Sequence, residues 1–446
     1  MRKPVIVSEY LDTLFETNNN DSEWFGYYNY DTLNQSQTKM IANRIPIDGI
    51  EPKKEQSILI GYYDLKDYNW HKIGESDSWN WQQGAMAQWI NGDDDSNESI
   101  IYNTSDGVRL VSKIFNVATG EQKQIDWPIY GITPDGKKSI SLDLERSYWC
   151  RAYHYQSVAN KEKDGLIWQD DGIFEIDLER NVRRRIIDIK IIIQTDYKDF
   201  FASCKHWLEH VMISPSGKRI CFLHRFSSPD NVMRYSTRLF IADIDGKNLA
   251  IVPGWEGTIY THFGWQSDSD FAIYTYTPYR FKEGRGFREL VAKRAFLSKD
   301  MLSRLIVAIT SKMPYWLRTR LVGRRTYYQY YHVDDENDPR PTIKAEGRIF
   351  SVDGHPSFTA DGRYMITDSY PWRDGYQRLM VFDTETGKSL VLARMNAYYS
   401  GNPASCDLHP KLCNNNDYLV VDTAYDVFHH MMLFKIDWNK IKREIS

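Results

Sequence analysis

The sequence predicts an all-β protein, a seven-bladed β-propeller with a helical insertion in one blade. Three observations predict it. A phrase that opens on histidine recurs four times: His210-VMISPSGKRICFLHRF, His262-FGWQSDSDFAIYTYT, His355-PSFTADGRYMITDSY and His409-PKLCNNNDYLVVDTA. Each carries an apolar residue three places on (Ile213, Trp265, Phe358, Leu412), then a turn rich in Gly, Asn, Asp and Ser, then an alternating strand-like run. Two copies lack the histidine, Met86-AQWINGDDDSNESIIYN and Ile129-YGITPDGKKSISLDL. The second observation is spacing: Met86 and Ile129 lie 43 residues apart, close to the roughly 40–50 residues of one four-stranded blade. The third is the aromatic content of 14%, with 30 Tyr and 14 Trp, which suits pleated, half-buried surfaces.

Taken in order, residues 1–55 are polar and turn-rich and read as a cap, and residues 56–446 read as the propeller. Steps of 52 and 54 residues are single blades with longer loops. The step of 81 from Ile129 to His210 fits two blades, with Asp171-GIFEIDLERN supplying the outer hairpin of a degenerate one. Outer strands are expected at Ile58-LIGYYDL, Leu239-FIADIDGKN, Leu379-MVFDTETGK and Met432-LFKIDW; two of them run into Asp-Gly or Thr-Gly hairpin turns. Pairing of the strand near 57–66 with the one near 431–438 would close the ring and remove exposed edges.

The step of 93 from His262 to His355 is one blade plus an insertion, 283–330. This segment has apolar residues at helical spacing (Leu290, Phe296, Leu297, Met301, Leu305, Ile309) and eleven Lys/Arg against three Asp/Glu between 283 and 325. Such a basic amphipathic helix pair either packs on the propeller wall, lies on an anionic membrane surface or docks a protein partner.

Bulk properties narrow the function class. A formal net charge of -4 gives no global nucleic-acid signal. Five irregularly spaced cysteines fit a reducing compartment better than a disulfide framework. The first residues, MRKPVIVSEYLDTLF, show no signal-peptide pattern, and no run of about 18 apolar residues occurs. The expectation is a cytoplasmic protein, with the insertion as its route to the inner face of the membrane.

If the repeats are in register, His210, His262, His355 and His409 converge from different blades on one channel mouth. Cys406 lies three residues before His409, and imidazole with thiolate favours zinc or a similar transition metal; Asp407 would orient a ligand histidine. The other reading is that these histidines cap blade ends. Adjacent strand residues face opposite sides, so one of His224 and Arg225 faces the channel. An arginine beside Tyr or His equips a site to neutralise a uronate carboxylate and take the neighbouring C5 proton. Arg151-AYHY adds Tyr153 and His154, and SWNWQQGAMAQW adds Gln82 and Gln83 as polar contacts to a sugar, beside Trp79, Trp81 and Trp89 whose role is packing or stacking. No Walker loop, Gly-rich dinucleotide loop, nucleophile elbow or HExxH is present.

The phrases EWFGYYNYD, ILIGYYDL, WNWQQGAMAQW, PIYGITPDGK, HVMISPSGKRICFLHR, DGHPSFTADGRYMITDSYP and CDLHP resemble the seven-bladed propellers related to oligogalacturonate lyase and the ulvan lyases. The resemblance runs from about 24 to 438 and leaves out the insertion. It implies a divalent metal, zinc or manganese, on His355, Cys406 and His409, with His262 as a fourth ligand. It also implies β-elimination across a 4-linked uronate. His210 and Arg225 match the base/acid and the carboxylate-binding arginine; Cys150-RAYHY departs from the family's Arg-Pro-Gly-Tyr-Gly-Tyr-like phrase, so Tyr153 as base or acid and His154, His224, Gln82 and Gln83 as sugar contacts are candidates from the residues alone. Glu209 stands where a tyrosine is looked for. The expected partner is a uronate-containing oligosaccharide. The alternative is a non-lytic propeller that binds glycan or a protein partner in surface-polysaccharide biosynthesis.

Overall fold

A computed structural model describes residues 3–17, 21–45, 56–90, 98–151, 163–232, 235–252, 259–276, 326–332, 342–346, 350, 352–399, 404–413 and 415–446. Their strands form seven antiparallel sheets, six of four strands and one of five. Three α-helices lie among the described residues, Leu144–Cys150, Ile189–Gln194 and Trp438–Ile445. None of the described helices is long and apolar enough to cross a membrane. The architecture is all-β and propeller-like.

Five sheets are plain meanders, and the sixth and seventh are meanders completed by a strand from the N-terminal segment. The first holds Ser22–Trp24, Lys39–Ile45, Ile58–Asp64 and Asn69–Ser76, and the second runs from Gln88–Ile90 to Gln122–Ile125. The third holds Gly131–Ile132, Lys138–Ser141, Gly172–Asp177 and Val182–Asp188; the fourth runs from Lys205–Ile213 to Ala250–Ile251. The fifth starts at Ile259–Trp265, the sixth at Ser357–Phe358 and the seventh at Lys411–Leu412. Every repeated phrase therefore opens one sheet.

The turn chemistry explains the repeated phrase. The N–H groups of Gly136, Gly217 and Gly362 bond back to the carbonyls of Thr133, Ser214 and Thr359 at 2.8, 2.8 and 2.7 Å. The three glycines sit at φ of +68°, +77° and +71°, a region side chains resist. Asn416, at φ +64°, does the same work in the seventh sheet, where asparagine is the tolerated substitute.

Apolar residues on facing sheets make the core. Ile101, Ile140, Ile220, Phe222 and Phe240 share one cluster that spans the second to fourth sheets, and the last two rings stack at 5.7 Å. Polar staples tie neighbouring sheets at their inner ends. Asn103 holds the N–H and the C=O of Ile129, and Asn43 accepts from the Ala85 N–H at 3.4 Å while donating to the Trp24 and Phe25 carbonyls of its own sheet. Asp368 and Asp422 occupy the corresponding position in the sixth and seventh sheets.

Three expectations are corrected. Residues 1–55 are not a cap: Leu11–Glu16 is the outer strand of the seventh sheet, paired with His430–Ile436, and Val5–Val7 extends the sixth. Ile58–Asp64 sits inside the first sheet, so it is not the C-terminal strand's partner. Gly172–Asp177 and Val182–Asp188 finish the third sheet and do not form an extra blade; the sheet missing from the repeat count is the first. The long step after Ile129 is an insertion that carries Leu144–Cys150. The basic segment 283–330 lies outside the described residues except for 326–330, which open the strand Thr326–His332.

Candidate functional site

The inner strands bulge where the repeat begins. Register shifts fall between Glu209 and Met212 and between Tyr260 and Phe263, and a bulge re-aims the side chain it carries. His210 and His409 hold φ of +55° and +44°, with Met86 at +55° in a copy that lacks histidine. Non-glycine residues in that region are strained, and such strain gathers where a side chain must be aimed.

The histidines do come together. The ring centroids of His262 and His355 are 4.0 Å apart, those of His355 and His409 4.5 Å, and those of His210 and His262 6.0 Å. Into this cluster the first sheet sends Tyr27 and Tyr28. The Tyr27 ring lies 5.0 Å from His409 and its hydroxyl 3.0 Å from His210 Nδ1. Tyr28 donates to the Phe263 carbonyl at 2.8 Å and packs on His355 at 5.0 Å. Gly26 makes this approach possible: at φ +120°, a Cβ there would meet the Gln83 carbonyl oxygen at 2.6 Å. Asp422 accepts from the N–H groups of Phe25 and Gly26 at 3.0 and 3.2 Å and pins the loop.

His355, Asp407 and His409 each offer a ligand atom, and the three atoms lie within 4.8 Å of one another. All three residues are buried. Asp368 fixes the frame: its carboxylate accepts from the His355 ring Nδ1 at 2.9 and 3.0 Å, from the His355 N–H at 2.6 Å, and from the N–H groups of Leu408 and His409 at 3.0 and 3.3 Å. That leaves Nε2 of His355 as the lone-pair atom, because Nδ1 carries the proton. Nε2 of His355 and Nε2 of His409 are both buried with no hydrogen-bond partner, a costly arrangement for an acceptor unless something binds it. Burial pushes both imidazoles well below the usual histidine range, and neighbouring histidines add to it. They are neutral and ready to ligate. Burial, with Asp368 and Asp353 nearby, raises the Asp407 carboxyl well above the usual range, and a cation would reverse that. Two imidazoles and a carboxylate suit a divalent transition ion.

Cys406 is not in this set. It packs with Tyr399, Ala404, Ala424 and Trp81, and its nearest polar contact is the Asp407 carbonyl at 3.6 Å. Burial raises its thiol well above the usual value, as it does the Asp407 carboxyl, and its position leaves it outside the three-residue group. Asp407, expected behind a ligand, itself offers one of the three ligand atoms. His262 stands beside His355, with Nδ1 3.2 Å from Asp353, and lies outside the three-residue group.

The second half of the site surrounds His210. Its Nε2 lies 3.5 Å from Glu209 Oε2, and its Nδ1 shares a 3.0 Å hydrogen bond with the Tyr27 hydroxyl. Glu209 Oε2 also lies 2.6 Å from Arg225 Nη1, and Glu209 Oε1 accepts from Trp207 Nε1 at 2.7 Å. Arg225 is thus in the cluster and already paired. Its neighbour His224 turns the other way: it shares a 2.9 Å hydrogen bond with His206 and one of 3.0 Å with Arg238, fully buried, and does not reach a ligand. Gln82 donates to the Ser405 carbonyl, and the buried Gln83 donates to the Tyr130 hydroxyl, itself 3.4 Å from His210. Both amides brace loops. Tyr153 and His154 lie outside the described residues.

Tyr27, Tyr28 and Asp368 were not among the sequence candidates. The phrase EWFGYYNYD carried the signal for the tyrosines, but it sat in a segment read as a cap. Asp368 repeats Asn43, Asn103 and Asp422 at the end of a second strand, a regularity visible only once the sheets are aligned.

The chain's fold is shared with solved structures. One is an oligogalacturonate lyase in complex with manganese, 15% identical, covering 98% of each chain at a TM-score of 0.59. Another is Kuenenia stuttgartiensis hydrazine synthase, 10% identical, covering 93% of this chain and 96% of that one at 0.51. The sequence matches no protein-family model and no curated protein. At these identities the likeness establishes the fold, over nearly the whole chain.

Proposed function

We propose that the chain is a closed seven-bladed propeller and a metal-dependent, lyase-like enzyme that cleaves uronate-containing oligosaccharides by β-elimination. One observation carries the reading: two buried imidazole nitrogens without partners and a carboxylate converge beside the Tyr27–His210 pair. The shared fold with an oligogalacturonate lyase bound to manganese supports it. Ring closure is supported by contacts from each sheet to its successor and from His430–Ile436 back to Ser22–Trp24.

His355, Asp407 and His409 would hold the ion, manganese or zinc, which would supply a positive charge to polarise the sugar's carboxylate. The chain's own residues do the rest. His210, hydrogen-bonded through Nδ1 to the Tyr27 hydroxyl, moves the proton, and Tyr27 connects it to the metal side. The C5 proton leaves, its electrons form the C4–C5 double bond, the C4–O bond breaks, and the departing oxygen takes a proton. Arg225 and Arg151 form the basic wall of the site and recognise a carboxylate.

A non-lytic glycan-binding role has one observation in its favour, the internal Glu209–Arg225 pair. In that role the insertion 283–330 would meet a membrane or a protein partner. Manganese-loaded protein incubated with oligogalacturonate separates the two. Elimination raises ultraviolet absorbance as the unsaturated product forms, and binding without any rise leaves the second reading.

A further inference from the structure

Glu209 occupies a complete carboxylate-binding site. Its two oxygens are met by the Arg225 guanidinium at 2.6 Å, the Trp207 indole N–H at 2.7 Å, and the Arg151 guanidinium and His210 Nε2 at 3.5 Å each. The Tyr235 ring lies 4.3 Å from Arg225 Cζ and 5.2 Å from Arg151 Cζ, closing the arginine pair from one side. Two guanidinium groups face this one carboxylate. This carboxylate faces Arg225, Trp207 and His210 of the fourth sheet and Arg151 at the end of the inserted helix Leu144–Cys150.

Exposure grades across the group. The Arg225 side chain is 4% exposed, Glu209 11% and Arg151 14%. Arg225 is the most deeply buried of the three, and Glu209 and Arg151 are slightly more exposed. The same carboxylate touches His210, whose other nitrogen touches Tyr27 beside the metal-type cluster. A sugar acid at that cluster would therefore have Glu209 within the same hydrogen-bonded group.

We propose that Glu209 is a resident carboxylate that fills the seat of a ligand's carboxylate and must be displaced for an acidic sugar to bind. This deepens the uronate reading above and rests on it. Displacement exchanges one carboxylate for another on the same donors, so the wild-type site discriminates weakly for charge. Removing the resident charge turns the arginine pair into a strong anion site. Glu209 is thus a specificity-determining residue, and a neutral sugar gains nothing from its removal.

The test compares galacturonate with galactose on wild-type protein and on Glu209→Gln, which keeps a side-chain oxygen for Trp207. The expected result by calorimetry is galacturonate binding at least tenfold tighter to the variant, with galactose unchanged. Equal galacturonate affinity, or an equal gain for both sugars, overturns the proposal. A wild-type readout covers loss of folding in the variant. The Trp207 indole N–H resonance, assigned with Trp207→Phe, shifts when galacturonate saturates the protein and stays fixed with galactose; an unmoved resonance under saturation overturns it. If the affinity gain and the shift appear but no oligomer is ever cleaved, the resident carboxylate stands and only the elimination chemistry falls.

Discussion

Asp368 holds His355 twice, through ring Nδ1 at 2.9 Å and through its backbone N–H at 2.6 Å, and the same carboxylate carries the N–H groups of Leu408 and His409. One buried side chain thus sets the tautomer of one ligand and the backbone position of the other. Asp368→Asn should keep the volume but place an amide donor against N–H donors. Metal affinity should fall about 10–100-fold, measured by titrating manganese into metal-free protein. Urea unfolding should show a loss of about 1–3 kcal/mol. Unchanged affinity would show that the clamp does not prepare the site.

Gly26 is the point where the first sheet's loop meets the second. A methyl group there meets the Gln83 carbonyl at 2.6 Å on a backbone at φ +120°. Gly26→Ala should therefore cost about 1–3 kcal/mol in chemical denaturation and displace Tyr27 from His210. If the variant is as stable as wild type, the close approach is not what the loop depends on.

The buried His429 gives the protein an acid-sensitive component. Burial pushes its imidazole down to about 3, against the upward pull of its hydrogen bond to the Ala404 carbonyl. A histidine whose folded value lies below its unfolded one, near 6.5, stabilises above that unfolded value. That stabilisation is lost as pH falls from about 6.5 toward 3. Between pH 6.5 and 5 the stability advantage of wild type over His429→Gln should shrink by about 2 kcal/mol. Guanidinium unfolding of both proteins at the two pH values checks it, and a constant difference would mean the ring is protonated in the fold.

Much of the fold was legible because the repeat is a hairpin with fixed chemistry. The turn needs a positive φ at Gly136, Gly217, Gly362 and Asn416, and the strand after it alternates. The histidine meeting was legible for the same reason. What could not be read was anything set by closure: which strand Leu11–Glu16 pairs with is decided by the two ends of the chain finding each other. Around Cys406, Asp407 and Leu408 a bare spacing cannot say which neighbouring side chain turns inward. Packing against Trp81 and Tyr399 takes the thiol away, and the carboxylate is left at the histidines. Likewise, Arg225 was recognisable as a buried arginine on the site side, but its partner Glu209 is one strand away.

The proposed metal site at His355, Asp407 and His409 is tested most directly by elemental analysis of purified protein after manganese loading and gel filtration. The account predicts one ion per chain in wild type and in Cys406→Ser, and loss of that ion in Asp407→Asn and His409→Ala with the fold retained by circular dichroism. An ion lost in Cys406→Ser but kept in Asp407→Asn, or no stoichiometric ion in wild type, would contradict it.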